Sequence, residues 1–228
     1  MKRISLMFVM LLAAVLSFTV APILLAALPT RTWQCQPNSY EQLFKSLVGN
    51  REIAIQVGKS NGQDVTLQIF QGTTPAYDNS HKPVHPAGSP TTQQTLGSTF
   101  DAIISASEVW ICRGSGSGPS SGPITWQPVG GGTYADGSWG VDVDTFDTLY
   151  SGSARSIAYS IAVDEGEDDV LLQVIHNSTF LEQIIVSEET PVAGIADDVT
   201  TLQISTLGET STGSYAYYYK TGLYHVGE

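Results

Sequence analysis

Basic residues are scarce in this chain of 228 residues. Ten Lys and Arg stand against 22 Asp and Glu, for a formal net charge of −12. Ten cations scattered along the sequence make no basic patch, which excludes a nucleic-acid binder that works by neutralising phosphates. Cysteine is nearly absent. Cys35 and Cys112, 77 residues apart, and four histidines supply no ligand cluster for a structural zinc domain. Past the amino terminus no long apolar stripe recurs at helical spacing, and only residues 40–49 (YEQLFKSLVG) read as a short helix. Hydrophobic residues at 42% are enough to bury a core, so the chain is not of the disordered class.

The amino terminus is the one long apolar run. Lys2 and Arg3 precede an uncharged stretch over residues 4–28. As a helix, these residues span roughly 37 Å at ~1.5 Å each, enough to cross a hydrocarbon core of ~30 Å. One expectation is an uncleaved membrane anchor over residues 1–30. The other is a secretory signal removed after Ala27, although the run exceeds an ordinary signal core and Leu25 stands where a small residue is preferred. Pro22 prevents neither. Lys2 and Arg3 favour a cytoplasmic amino end, so in both cases the remainder is exported.

An internal repeat organises that remainder. Arg51-Glu-Ile-Ala returns as Arg155-Ser-Ile-Ala, and Asp64-Val-x-Leu-Gln68 as Asp169-Val-x-Leu-Gln173. Thr32-Trp33-Gln34 matches Thr125-Trp126-Gln127, and residues 107–113 (SEVWICR) resemble 214–220 (SYAYYYK). These matches divide the chain into copies at 31–113 and 124–228, joined by a Gly/Ser/Pro segment over 114–123. Ile53, Ile55 and Val57 alternate with smaller or polar residues, as do Val65, Leu67 and Ile69, which is the period of half-buried strands. Asn61-Gly62 and Glu165-Gly166 supply turns between them. The expected fold is all-β, two tandem β-sandwich (Ig-like) domains.

Both cysteines occur as Trp-x-Cys, Trp33/Cys35 and Trp110/Cys112, near the two ends of the first copy. In an oxidising compartment this predicts a disulfide, worth about 4 kcal/mol for so long a loop. Gly118-x-Ser120-x-Gly122 matches a hydrolase-elbow pattern, but it sits in the linker rather than at a strand-to-helix turn, so no nucleophile is assigned. His81 and His85 lie in a proline-rich loop and read as solvated. Asn177-Ser178-Thr179 is a glycosylation acceptor pattern.

Acidic residues crowd the second copy. Asp142, Asp144 and Asp147 form one cluster, and Asp164, Glu167 and Asp168 belong to another, a pattern that suits calcium without the full twelve-residue ligand loop. Tyr215, Tyr217 and Tyr219 share one face of a strand, with Tyr218 on the other; they form a core and rim, or a contact surface for glycan or protein. No catalytic constellation emerges. The expected function is a non-enzymatic extracytoplasmic interaction module, an accessory subunit of a membrane or envelope complex, with protein partners and a membrane tether through residues 4–28. The alternative is a secreted glycan- or calcium-binding module. The acidity is not uniform: residues 31–123 carry six basic and six acidic residues, whereas 124–228 carry two basic and sixteen acidic, a net of −14.

Overall fold

Period-two alternation becomes strand throughout the computed structural model, which describes residues 28–221. The amino-terminal run over residues 4–28, expected as an anchor or signal, lies outside the described residues except for Leu28. Among the described residues no helix is long and apolar enough to cross a membrane. The first half holds β1 (Arg31–Cys35), β2 (Tyr40–Ser46), β3 (Arg51–Gly58), β4 (Val65–Phe70), β5 (Ala76–Tyr77), β6 (Pro83–Val84), β7 (Thr92–Leu96), β8 (Thr99–Ala106), β9 (Glu108–Arg113) and β10 (Ser120–Pro128). The second half holds β11 (Thr133–Val141), β12 (Phe146–Val163), β13 (Val170–His176), β14 (Thr179–Val186), β15 (Val192–Thr206) and β16 (Ser211–Lys220). Residues 40–46, expected as helix, are β2. Tertiary pairing with β9 overrides a pattern too short to nucleate a helix.

Two main sheets result. One runs β1-β10-β3-β8; the other, of ten strands, runs β11-β16-β12-β15-β2-β9-β4-β7, with β13 and β14 joined through β15. All these pairings are antiparallel except β15 with β2, which is parallel at Gly194/Lys45 and Ile195/Ser46. β12 and β15 are long and bent. Their carboxyl and amino halves pair at one end and their amino and carboxyl halves at the other, with register shifts at Thr148/Tyr150 and Ser151/Ala154 between.

The repeat is present in the pairing, but in a different phase from the sequence alignment. β1 pairs β10 as β11 pairs β16, and β10 pairs β3 as β16 pairs β12. Trp33 stands opposite Gly122, as Trp139 stands opposite Gly213. A Cβ at Gly122 would meet the Gly58 carbonyl at 2.1 Å, and one at Gly213 would meet the Ala162 carbonyl at 2.1 Å, so both positions require glycine. The register shift at Gln42/Phe44 in β2 returns at Thr148/Tyr150 in β12. Even a single hydrogen bond repeats: Gln34 N donates to Glu41 Oε2 at 2.7 Å, and Gly140 N to Asp147 Oδ2 at 3.4 Å.

In this phase Arg51 corresponds to Arg155 and Asp64–Gln68 to Asp169–Gln173. The other two sequence matches dissolve. Trp126 lies on β10, the counterpart of β16 rather than of β1, and residues 108–113 form β9, whose counterpart is the carboxyl half of β15. The boundary moves accordingly. Residues 114–123 are not an interdomain linker but a loop and the start of β10, which lies between β1 and β3. The copies meet at Val129-Gly-Gly-Gly132, where Gly130 and Gly131 take φ of 91° and 66°.

The copies also share a wall. Because β15 joins β2, one sheet surface serves both units on its two faces. On one face Ala158, Ala193, Ile195, Ala216 and Tyr218 pack with Trp33, Ile53, Ile55, Val57 and Trp126 of the first unit. On the other, Ile157, Tyr159, Ile161, Ala196 and Tyr217 pack with Leu172, Val174, Ile184 and Leu202 of the second. The result is a fused pair of sheets rather than two beads on a string.

The expected disulfide is absent, because the two thiols lie on opposite faces. Trp33 and Cys35 do share a face, but it is the one packed into the first core together with Val109 and Ile111 of β9. Cys112 follows Ile111 and therefore turns to the opposite side, where its Sγ approaches Thr66 O at 3.4 Å. Both thiols are free, and burial raises the pKa of each. Alkylation in denaturant without reductant is expected to add two labels by intact mass, with only slow labelling of Cys35 in the native state. A product resistant until reduced would contradict this.

Candidate functional site

The two copies differ most where β4 leads to β7. The second copy turns from β13 to β14 through Asn177 and Ser178, both with positive φ, whereas the first inserts a flap over residues 71–91 that carries β5 and β6. His85 on this flap packs against Tyr40 (centroids 4.0 Å), Trp110 (5.1 Å) and Phe70 (5.4 Å), and its Nε2 lies 2.8 Å from Gln68 Oε1. It is half-buried rather than solvated, and burial lowers its pKa. The ring holds the flap to the back of the β2-β9-β4 sheet.

Beside it lies a buried polar cluster. Lys45 and Glu108 face one another across β2 and β9, so the Lys45 side chain leaves the shared sheet on the second unit's side. There it pairs with Glu182 of β14, both side chains being wholly buried. Tyr77 of the flap and Tyr159 of β12 each donate their hydroxyl to Glu182, and the Lys45 ammonium lies 5.1 Å from the centre of the Tyr77 ring. Burial lowers the pKa of Lys45, with Glu182 opposing. Burial and the Glu182 charge together raise both tyrosines far above their ordinary value, so they remain donors. Glu108 accepts from Gln42 Nε2 and Trp110 Nε1, each at 2.9 Å. Neither Glu182 nor Tyr159 lines either of the two cavities that open nearby. The cluster joins β2, the flap, β12 and β14.

Two cavities open nearby, with no residue in common. The first, a groove of about 350 Å³, runs between β2 with its preceding loop, the flap and the β14–β15 connection; Gln34, Gln36, Tyr40, Glu41, Gln42 and Trp110 form its first-unit side. Tyr40 is 54% exposed. Glu41 is buried, and its Oε2 accepts from the Gln34 amide while Oε1 has no partner. Burial pushes its carboxyl up to about 8, against the opposing pull of Arg31 and the Gln34 amide. Arg31, itself lowered to about 10 by burial, donates to the carbonyls of Leu43 and Pro191 and stays cationic. The second cavity, about 610 Å³, lies at the junction of the copies and is lined by Arg51, Arg155 and Lys220 among others.

The residues expected to carry function fall elsewhere. Asp142 O accepts from the Thr145 amide and hydroxyl, and Asp142 Oδ1 from Thr210. Asp144 takes a φ of 59°, and Asp147 bonds the Gly140 amide. Asp164 Oδ2 accepts from Thr212 Oγ1 and its main-chain carbonyl from the Glu167 amide, and Asp168 Oδ2 accepts from the Glu209 amide. These carboxylates shape turns, and among the described residues no three His, Cys, Asp or Glu gather where a metal could sit. Tyr215, Tyr217 and Tyr219 do share a face, stacked beside Tyr150, but it is the interior face of the second unit, with Tyr217 at 9% exposure. Tyr218 is buried on the other face, 5.0 Å from Tyr134. Ser120 is buried and donates to Gln63 O at 3.0 Å.

Sequence reasoning passed over Lys45, Glu182 and Glu41, and read His85 as solvated. The one available signal was a lysine within the run Leu43-Phe44-Lys45, a charge inside an otherwise apolar stretch. No family model matches the chain, and no curated protein matches it. Among solved structures, the conserved protein of unknown function PA5104 from Pseudomonas aeruginosa PAO1 is 9% identical over 84% of this chain and 82% of its own, with a TM-score of 0.28. VP54 of PBCV-1, fitted into a reconstruction of the virophage Sputnik, is 9% identical over 84% and 93%, with a TM-score of 0.16.

Glu182→Leu is expected to cost about 3–5 kcal/mol in urea unfolding, because it strands a buried ammonium and two hydroxyls. The double variant Lys45→Met/Glu182→Leu should cost less than that single change; an equal or larger cost would show the pair contributes no mutual compensation. Glu41 binds its proton more tightly folded than unfolded, so its contribution is full below about pH 4.5 and is lost as pH rises towards about 8. Glu41→Gln should remove up to ~4 kcal/mol of that decline, read from unfolding curves at pH 4.5 and 8.5.

Proposed function

We propose that this chain is a non-enzymatic, exported binding module, two β-sandwich units of one kind fused through a shared sheet and tethered at the membrane by residues 4–28, whose ligand is a short neutral glycan. The groove beside β2 carries this reading. It sets an exposed aromatic ring, Tyr40, next to three glutamine side chains and a buried carboxyl with one unsatisfied oxygen. Aromatic rings take the apolar face of a sugar, while amides take its hydroxyls. Glu41, with its pKa raised to about 8, is protonated at neutral pH. Gln34 N occupies Oε2, so the proton resides on Oε1, which is buried in the groove wall without a partner. A buried donor left without a partner is costly, and a ligand that satisfies it recovers that cost.

The glycan role thus moves from Tyr215, Tyr217 and Tyr219, which face the second core, to residues of the first unit. Export rests on the apolar run that follows Lys2 and Arg3. Calorimetric titration with a panel of neutral oligosaccharides is expected to give at least one ligand with Kd below about 1 mM, weakened at least tenfold by Tyr40→Ala and by Glu41→Ala. No heat from any member at millimolar concentration would sink the glycan reading. A stoichiometric protein co-isolated from native membranes, in that event, would return the function to protein interaction.

A further inference from the structure

Glutamine recurs from strand to strand across the second unit. Thr148 of β12 stands opposite Gln203 of β15, Gln203 opposite Gln173 of β13, and Gln173 opposite Gln183 of β14. Gln203 Nε2 donates to Gln173 Oε1 at 2.6 Å. Their sequence neighbours Leu172, Ile184 and Leu202 are buried in the second core, so the amides lie on the outer face of the sheet. Phe146 and Leu171 border the amide row on one side, and Ile175 and Phe180 on the other. Phe146 is 65% exposed and Phe180 51%. None of these residues is charged, although residues 124–228 hold sixteen carboxylates against two bases. The acidic side chains gather instead in turns at one end of the face, where Asp168 Oδ2 accepts from the Glu209 amide and Asp142 Oδ1 from Thr210.

The first unit displays what such a face accepts. Its matching row is Gln42, Trp110, Gln68 and Gln93. The flap lays one ring on it: His85 packs against Tyr40, and its edge reaches Gln68 Oε1 at 2.8 Å. Phe146 and Gln173 hold the places of Tyr40 and Gln68 in the second unit, where a short turn replaces the flap. A ring with an apolar face and a polar edge is also the chemistry of a sugar. Area separates a sugar from a protein partner. Four strands ~4.8 Å apart, each giving about five residues at ~3.4 Å, make a face of about 300 Å². A stable protein interface covers ~800 Å² on each partner. A second copy meeting this face would, in addition, bring two acidic halves together.

We propose that this face binds an internal stretch of an extended neutral polysaccharide, of the β-linked hexose kind whose rings present flat apolar sides. Phe146 and Phe180 take ring faces, and the amides of Gln173, Gln183 and Gln203 take hydroxyls between them. The flap walls the groove of the first unit and suits it to a short glycan. With no flap over the second face, a chain need not end there. None of these five residues lines the groove, so the face binds whether or not the groove does.

Native electrophoresis of the full chain through gels containing soluble mixed-linkage β-glucan or glucomannan tests this, with polygalacturonate as the charged comparison. At least one neutral polymer is expected to retard the chain, and polygalacturonate should not. Phe146→Ala, on an exposed side chain, should weaken the retardation about tenfold, and Gln173→Leu should weaken it as well. Tyr40→Ala should leave it unchanged while abolishing short-glycan binding in calorimetry, which separates this face from the groove. Thermal unfolding checks that each variant is folded. No retardation by either neutral polymer, equal retardation by polygalacturonate, or undiminished retardation of Phe146→Ala would each overturn the proposal. Retardation lost in Tyr40→Ala would place the polymer in the groove instead, and would equally overturn it. So would a stable dimer of the wild-type chain that Phe146→Ala dissociates, because the face would then be an interface between copies.

Discussion

The short parallel pairing of β15 with β2 is the contact on which the rest of the molecule depends. It spans only Gly194/Lys45 and Ile195/Ser46, yet it makes one continuous sheet of strands that would otherwise belong to separate units. Side chains alternate across a strand, so neighbouring residues at this seam enter different cores. Ile195 joins the first. Lys45 goes the other way and reaches Glu182. At Gly194 a Cβ would come within 2.8 Å of the Tyr159 hydroxyl and 3.2 Å of Lys45 Cγ, so glycine leaves the space the lysine stem needs. Seam and cluster form one device.

An ion pair buried in this way is weak evidence for stability, since desolvation offsets much of the attraction. Its consequence is specificity of arrangement. Glu182 takes an ion pair from the β2 ammonium, a hydroxyl from the flap and a hydroxyl from β12, and so ties these three elements to β14. The flap is held at its other end by His85 among Tyr40, Phe70 and Trp110. Groove and flap therefore follow from the cluster: the β2 residues that form the first-unit wall of the groove are positioned by the same strand that carries Lys45.

The two cavities illustrate how divergence of a repeat reshapes a surface. Tyr40 corresponds to Phe146 and Glu41 to Asp147 through the matched register of β2 and the amino half of β12. In the second copy a two-residue turn replaces the flap, and Phe146 stays 65% exposed with nothing folded over it. One insertion thus turns a bare sheet surface into a groove. The junction cleft arises differently, from a repeated pair, Arg51 and Arg155, brought together by the way the copies meet.

Much of the strand content was legible from local pattern alone. Ile53-x-Ile55-x-Val57 and Val65-x-Leu67-x-Ile69 specify strands by period, and Arg-x-Ile-Ala with Asp-Val-x-Leu-Gln reveals that a unit recurs. The charge imbalance between the halves is equally a property of composition. What tertiary structure decided was the phase of the repeat, the boundary, and the company each polar residue keeps. Thr32-Trp33-Gln34 and Thr125-Trp126-Gln127 look alike because both face the same core, not because they are counterparts. Trp-x-Cys announces two residues on one face, but which face is decided by the partner strand, and the two thiols took opposite ones. A lone lysine in an apolar strand carries no local sign of the carboxylate waiting 137 residues later in the chain, because strand pairing across such distances is set by global burial rather than by neighbours in sequence.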